Sequence, residues 1–342
     1  MNNKPNIGIS AGDPAGIGPE VCVKALNNAE VYEICNPVII CDAKIIENAL
    51  LLCELDLKVN PIKSPDEGLF QFGIVDVVDV PNIDMDSFSF NTVSAMTGGA
   101  SFEYVKRLID LTLQKSLDAA VTGPIHKEAI QKAGFDFAGH TEIFAHFTDT
   151  KRYAMMLADE DFRVVHVNTH LSMLESIQRI TQSRVFEVIE LAHEALQKMG
   201  INQPRIAVNG LNPHAGENGL FGDEEILHIL PAIKKAQSLG INADGPHPPD
   251  TIFPKMRGGQ YDIVVCMYHD QGHIPAKLLG FNFDPKAKKW EGMSGVNITL
   301  GLPIIRVSVD HGTAFDKGGK GEADPGSMIQ AIKYATMFCE NI

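Results

Sequence analysis

The sequence predicts an α/β protein with mostly parallel sheets and helices on both faces. Three observations lead there. Short β-branched runs alternate with amphipathic stretches almost from end to end of the 342 residues, the pattern of strand–helix–strand units. Several of these runs are continuously apolar, as in parallel strands buried on both faces. Three of them end in polar, turn-rich segments that carry a histidine: Val-Val-His-Val-Asn-Thr-His170, Ile-Ala-Val-Asn-Gly-Leu-Asn-Pro-His214 and Val-Val-Cys-Met-Tyr-His269-Asp270. In open α/β sheets ligands bind outside the carboxyl ends of strands, so three imidazoles at such ends suit one divalent metal.

In chain order, 6–11 reads as a strand, and Pro19-Glu20 open a helix with proline at its first position. Residues 37–41 and 74–80 are further strands. From 100 to 116 the spacing of Phe102, Val105, Leu108, Ile109, Thr112 and Leu113 has helical period. Ala119-Ala120-Val121 is a short strand, followed by Thr-Gly-Pro and a helix near 126–133. Val185, Val188, Ile189, Ala192, Leu196 and Met199 form a helical stripe that stops at Gly200. Strands at 205–209, 262–267 and 304–309 and a helix near 326–340 complete the pattern. Length favours about two domains. With no flexible linker or repeat, 1–342 reads as one unit of two interleaved α/β subdomains with no assignable boundary.

A formal charge of −14 argues against nucleic acid as the main partner, because phosphate backbones need a basic footprint. Six cysteines fall in no CxxC pair, which suits free thiols in a reducing compartment. No apolar run approaches the roughly 20 residues of a membrane span. A cytoplasmic protein is expected.

Gly12-Asp13-Pro14-Ala15-Gly16-Ile17-Gly18 joins the first strand to the first helix. It matches neither GxGxxG nor a P-loop, so a ligand-binding turn and a merely tight turn both fit. Gly139-His140-Thr141-Glu142 reads as a helix start with Thr141 near the cap. The alternative is that His140 and Thr141 donate to an anion. The densest stretch holds His269, Asp270, Lys277, Asn297, Arg306, Asp310, His311, Gly312 and Thr313. Lys277 and Arg306 suit a phosphate or carboxylate. Arg306, between Ile304, Ile305, Val307 and Val309, needs an anionic partner from a ligand or from the protein. Each histidine alone is compatible with a structural role; Asp270 could support a metal-bound neighbour.

Six segments in order resemble the 4-hydroxythreonine-4-phosphate dehydrogenase family of vitamin B6 synthesis: 12–20, Gly-His-Thr-Glu (139–142), Gly-Leu-Asn-Pro-His-Ala-Gly-Glu (210–217), Tyr-His-Asp-Gln-Gly (268–272), Gly-Val-Asn-Ile-Thr-Leu-Gly-Leu-Pro (295–303) and Ser-Val-Asp-His-Gly-Thr-Ala (308–314). The resemblance implies an isocitrate/isopropylmalate dehydrogenase type of fold, with the active-site cleft between two subdomains. It also implies a homodimer with a metal site shared between subunits. The family's metal histidines fall on His170, His214 and His269, and one is expected from the partner subunit. Its substrate contacts fall on His140, Thr141, Lys277, Asn297 and Arg306. The segment Asp310-His311-Gly312-Thr313 is placed near NAD, with NADP as the alternative, and Asp250 near the site. Zinc, magnesium, cobalt or manganese would serve as the metal.

Between Lys277 and Asn297 the chain carries a longer segment than the biosynthetic enzyme, and it resembles the branch acting on D-threonate or D-erythronate 4-phosphate. The chemistry implied is oxidation at C3 and loss of CO₂, with Lys277 and Asp250 as candidates for proton transfer. A sugar acid would give dihydroxyacetone phosphate. Two other classes fit three histidines: a metal-dependent phosphate-ester hydrolase and a non-catalytic metabolite-binding module.

Overall fold

The computed structural model describes residues 4–286 and 289–341. The N-terminal segment lays down β1 (Asn6–Ser10), α1 (Gly18–Leu26), α2 (Ala29–Ile34), β2 (Asn36–Cys41), α3 (Ala43–Leu52), β3 (Lys58–Ile62), β4 (Ile74–Asp79), α4 (Ala95–Leu113) and β5 (Ala119–Thr122). Two short helices, α5 (Lys127–Lys132) and α6 (His140–Phe147), lead to β6 (Ala154–Asp159) and β7 (Phe162–His166). Then come α7 (Met173–Gln178), α8 (Gln182–Lys198), β8 (Ile206–Asn209), α9 (Leu230–Ser238), β9 (Ala243–His247), α10 (Pro249–Arg257), β10 (Ile263–Cys266) and α11 (His269–Gly280). A hairpin of β11 (Phe281–Asp284) and β12 (Lys289–Met293) precedes β13 (Val296–Leu300), β14 (Ile305–Val309) and α12 (Gly326–Glu340).

Twelve strands form one sheet in the order β3-β4-β2-β1-β5-β14-β13-β6-β7-β10-β8-β9, as an α/β protein with a mostly parallel sheet requires. From β3 to β14 all neighbours are parallel, and so are those from β7 to β9. Between these blocks β14–β13, β13–β6 and β6–β7 are antiparallel. The two parallel blocks therefore run in opposite directions. The chain leaves the first block after β5, builds the second, and returns with β14.

Every strand and helix read from the apolar pattern is present to within a few residues. Among the strands, the pattern missed β3, β6, β9, β11, β12 and β13. In β3 (Lys-Val-Asn-Pro-Ile) the polar residues suit an edge strand, which also tolerates its proline. β6 carries two methionines where β-branched residues would have signalled a strand. The longer segment after Lys277 forms the β11–β12 hairpin, and Lys288 and Ala287 within it lie outside the described residues.

The core lines both faces of the sheet, with Ile7, Ile9, Ile39, Ile40, Leu108 and Val121 fully buried. At about 25 cal/mol per Å² this burial supplies the main drive to fold. All six cysteines are free, as expected. Burial pushes the Cys22 and Cys35 thiols up to about 12, which keeps them protonated and inert. Among the described residues no helix is long and apolar enough to cross a membrane.

The Gly12–Gly18 turn is explained by packing. A Cβ on Gly16 would lie 2.6 Å from the carbonyl oxygen of Thr313, and one on Gly12 only 2.2 Å from that of Pro124. Ile17 N–H donates to the same Thr313 carbonyl at 3.0 Å. The loops after β1 and β14 are thus fastened together, and the glycines serve that approach.

Candidate active site

A cavity of about 240 Å³ opens where the antiparallel strands join the two blocks. Its walls come from the end of β5 (Thr122 to Ile125), Lys127, the start of α6 (His140, Thr141, Glu142), Met155, His170, His273, Asn297, Arg306 and the end of β14 (Ser308 to Gly312). A second cavity of about 340 Å³ adjoins it through Thr141, Glu142, Met155 and His170.

Arg306 is buried, at 3 % exposure. Its Nη1 donates to Thr299 Oγ1 at 2.9 Å and its Nη2 to Thr122 Oγ1 at 3.0 Å, while Nε has no partner. Register explains the fit, since Arg306 lies beside Ala120 of β5, with Thr122 two residues further along that strand. Among the described residues no carboxylate forms an ion pair with it, so the protein does not supply the anion that a buried guanidinium needs. Desolvation lowers it to about 9, partly offset by the field of Glu142, which still leaves a cation at neutral pH.

Three more polar atoms beside the same cavity are shielded and unpartnered: His140 Nε2, Asn297 Oδ1 and His311 Nε2. Burial, with Arg306 nearby, holds His140 well below its ordinary pKa, so it is a neutral donor or acceptor. The helix α6 begins at His140 with Gly139 as its N-cap and no side-chain cap, so Thr141 does lie near the cap, with Glu142 in the first turn, but does not itself cap the helix. Thr141 instead faces both cavities.

Lys277 pairs with Asp310 at 3.1 Å. Burial raises the Asp310 carboxyl, opposed by the Lys277 ammonium. Asp310 thus meets a substrate-contact candidate as well as the segment assigned to a cofactor. His311 Nδ1 lies 3.0 Å from the Gly312 carbonyl oxygen, and Thr313 is the residue fastened to the Gly12–Gly18 turn.

His170 and His269 come together, their ring centroids 5.9 Å apart. Asp270 Oδ1 lies 2.7 Å from His269 Nδ1, which fixes the proton there and frees Nε2. Burial lowers His170, with Lys127 adding to the effect, so His170 favours the neutral form that metals bind. His214 is elsewhere: it is exposed, and its recorded ring contact is Phe221 at 6.0 Å. Among the described residues no three His, Cys, Asp or Glu side chains stand together as a metal site. Asp250, exposed in the first turn of α10, does not line the cavity either.

The loop bearing His214 has an unusual backbone. His214, Ala215, Gly216, Glu217 and Asn218 all have positive φ, between 42° and 78°. A left-handed run costs roughly 1–2 kcal/mol per non-glycine residue. Glu225, buried in a single π-type turn, holds it: Oε1 accepts from the Leu211 and Asn212 amides at 2.7 Å each. Oε2 accepts from Asn212 Nδ2 at 2.9 Å. Strain held this firmly is typical of functional segments.

The residues that sequence reasoning missed are Lys127, Glu142, His166 and His273. A signal existed for His273, which lies four residues from both His269 and Lys277 and so shares their helix face. Reading His269 as a strand end hid that spacing.

A family model described as "Pyridoxal phosphate biosynthetic protein PdxA" matches residues 33–335. The chain belongs to this family. Within it, an Oceanobacillus iheyensis protein named "Putative D-threonate 4-phosphate dehydrogenase" is 46% identical over 338 residues, 98% of each chain. A Burkholderia phymatum structure described as a 4-hydroxythreonine-4-phosphate dehydrogenase is 43% identical, with TM-score 0.85 and coverage of 98% and 99%. The Klebsiella pneumoniae structure of that description has 40% identity, TM-score 0.88 and 99% coverage of both chains. PdxA-family relatives are named dehydrogenases, and this chain is an oxidoreductase of that family; the hydrolase and binding-module readings give way to it.

Proposed function

We propose that the protein oxidises and decarboxylates a four-carbon 3-hydroxy acid 4-phosphate, D-threonate 4-phosphate or its erythronate epimer, to dihydroxyacetone phosphate and CO₂. The amino acid 4-phosphohydroxy-L-threonine is the second candidate. The observation that carries the reading is the cavity itself. A buried guanidinium with only hydroxyl partners and three unpartnered polar atoms surround a space for a small anion. The relatives named for D-threonate 4-phosphate favour the sugar acid.

Arg306, His140, Thr141 and Asn297 bind and orient the carboxylate and phosphate. Lys277, paired with Asp310, is the group that would deliver a proton to the carbon left when CO₂ departs. Asp250 keeps a proton-transfer role only if a second chain brings it to the cavity. The imidazoles His170 and His269 suit a divalent ion chemically, and His214 is the third donor. NAD, or NADP, would supply the hydride acceptor and the metal a Lewis acid toward the C3 oxygen. Asp310, His311, Gly312 and Thr313 flank the space for the nicotinamide.

A homodimer supplies His214. The left-handed loop presents it outward beside exposed Leu220, Phe221, Ile226 and Leu227, and α11 exposes Ile274 and Leu278. Apolar residues so grouped suit an interface. Six free thiols support a cytoplasmic setting. The deciding experiment follows NADH formation on D-threonate 4-phosphate, D-erythronate 4-phosphate and 4-phosphohydroxy-L-threonine with added divalent metal. The highest kcat/KM is expected on a sugar acid; phosphate release without NADH would sink the proposal.

A further inference from the structure

Lys277 lies in the last turn of α11, and its ammonium meets two groups. Its Nζ donates to Asp310 Oδ2 at 3.1 Å. The same Nζ stands over the Phe281 ring, 4.7 Å from its centroid. That is within the roughly 6 Å over which the negative face of an aromatic ring attracts a cation. The Lys277 side chain is 39 % exposed, so water still reaches it. A half-exposed ion pair fixes little by itself, because a long lysine side chain must give up many rotamers to hold one place. A ring face adds a second, directional restraint that the carboxylate alone does not supply.

Both groups are set in one frame. The Asp310 N–H donates to Ser327 Oγ at 3.2 Å, and that hydroxyl donates to the Gly295 carbonyl oxygen at 2.9 Å. Gly295 N–H donates to Gln330 Oε1 at 2.6 Å, and Gln330 Nε2 to Asp159 Oδ1 at 2.8 Å. Asp159 Oδ2 accepts from Ser294 Oγ at 2.6 Å, and Ser294 N–H donates to the Gly280 carbonyl oxygen at 3.0 Å. Gly280 is the residue before Phe281, which opens β11 opposite Met293 of β12. Hydrogen bonds thus lead from residue to residue between the backbones of Asp310 and Gly280, by way of α12 and the end of β6. The carboxylate and the ring are held by this network, and the flexible lysine reaches both.

We propose that Phe281 is a positioning residue: its ring face, with the Asp310 carboxylate, holds the Lys277 ammonium at the Asp310 edge of the cavity for proton delivery. The proposal rests on the decarboxylation reading above. In that reaction the oxidised acid loses CO₂ and leaves an enol. The proton then passes from Lys277 Nζ to C2, and solvent returns one to the amine. Such a transfer needs hydrogen-bond reach at the moment of reaction, so a wandering ammonium costs kcat more than affinity.

Fluorinated phenylalanines at position 281 separate attraction from packing. Successive ring fluorines leave the shape nearly unchanged and progressively weaken the negative face. On D-threonate 4-phosphate kcat is expected to fall stepwise, about fivefold by the trifluoro ring, the scale of a partly exposed cation–π contact, with KM changed about twofold or less. Phe281→Leu should lose about as much, whereas Phe281→Tyr keeps the ring face and should stay near the native rate; the fluorine series serves where the leucine variant folds poorly. A flat kcat across that series would show that the ring only packs and would overturn the proposal, as would a loss carried wholly by KM. A second measurement needs no turnover. In ¹H–¹³C spectra of lysine-labelled protein, the ring current of Phe281 should shift the Lys277 ε-CH₂ protons upfield, and Phe281→Leu should abolish the shift. Unshifted ε-CH₂ protons would place the ammonium away from the ring and overturn the proposal even in an active enzyme. If the shift is present and no four-carbon acid is oxidised, it is the reading of function that has failed, and the positioning role falls with it.

Discussion

The two ends of the cavity are built differently. At the Arg306 end, every polar group is positioned by its own chain: threonine hydroxyls hold the guanidinium, and His140, Asn297 and His311 wait with shielded, unpartnered atoms. At the histidine end, His170 and His269 approach each other, while His214 sits apart on an exposed left-handed loop. On the proposed reading, the difference teaches that anion recognition would be completed within one chain, whereas the metal site would need a second. Burial at the first end makes binding groups costly to the free protein; exposure at the second leaves room for a partner.

The largest expected effect breaks the histidine end. His269→Ala should lower kcat about a thousandfold, the scale of a lost Lewis acid worth several kcal/mol, as read in a steady-state NADH assay with saturating metal. Mixing inactive His269→Ala and His214→Ala chains sharpens the comparison. A shared site predicts that activity returns in mixed dimers, because one of their two sites is intact; no recovery after subunit exchange would place all ligands in one chain.

At the other end, Arg306→Met should raise KM and lower kcat/KM about a hundredfold, the loss of a charge-assisted pair worth roughly 1.5–3 kcal/mol. The same change removes an unpaired buried charge, so the melting temperature should hold or rise. A fall of many degrees would show that Arg306 is structural. For Glu225→Gln a smaller cost is expected, about 1–2 kcal/mol in denaturant unfolding, because its acceptors to Leu211 and Asn212 are weakened.

A last effect is on pH. His166 and His273 are lowered to about 3 and about 4 by burial and by neighbouring imidazoles. Below the ordinary histidine pKa near 6.5 the unfolded chain takes up protons that the folded chain refuses. Stability is therefore full above that pH and is lost as pH falls toward 4. Melting temperatures between pH 7.5 and 4.5 should decline without a matching gain on the alkaline side.

Residue patterns by themselves determined the α/β class, the principal strands and helices and the family, and they singled out Arg306, which lines the cavity. Continuous β-branched runs, helical periodicity and ordered motifs are local properties, so they survive without coordinates. Neighbours across the sheet decided the rest. That the two parallel blocks run oppositely depends on the antiparallel pairings of β13 and the methionine-bearing β6, which join them. That Arg306 meets threonines and no carboxylate depends on register with β5 and β13. That the rings of His166 and His273 meet at 3.2 Å depends on two residues 107 positions apart in sequence. Contacts of that range arise only from chain packing, and they separate a row of histidines in a sequence from imidazoles that meet in the fold.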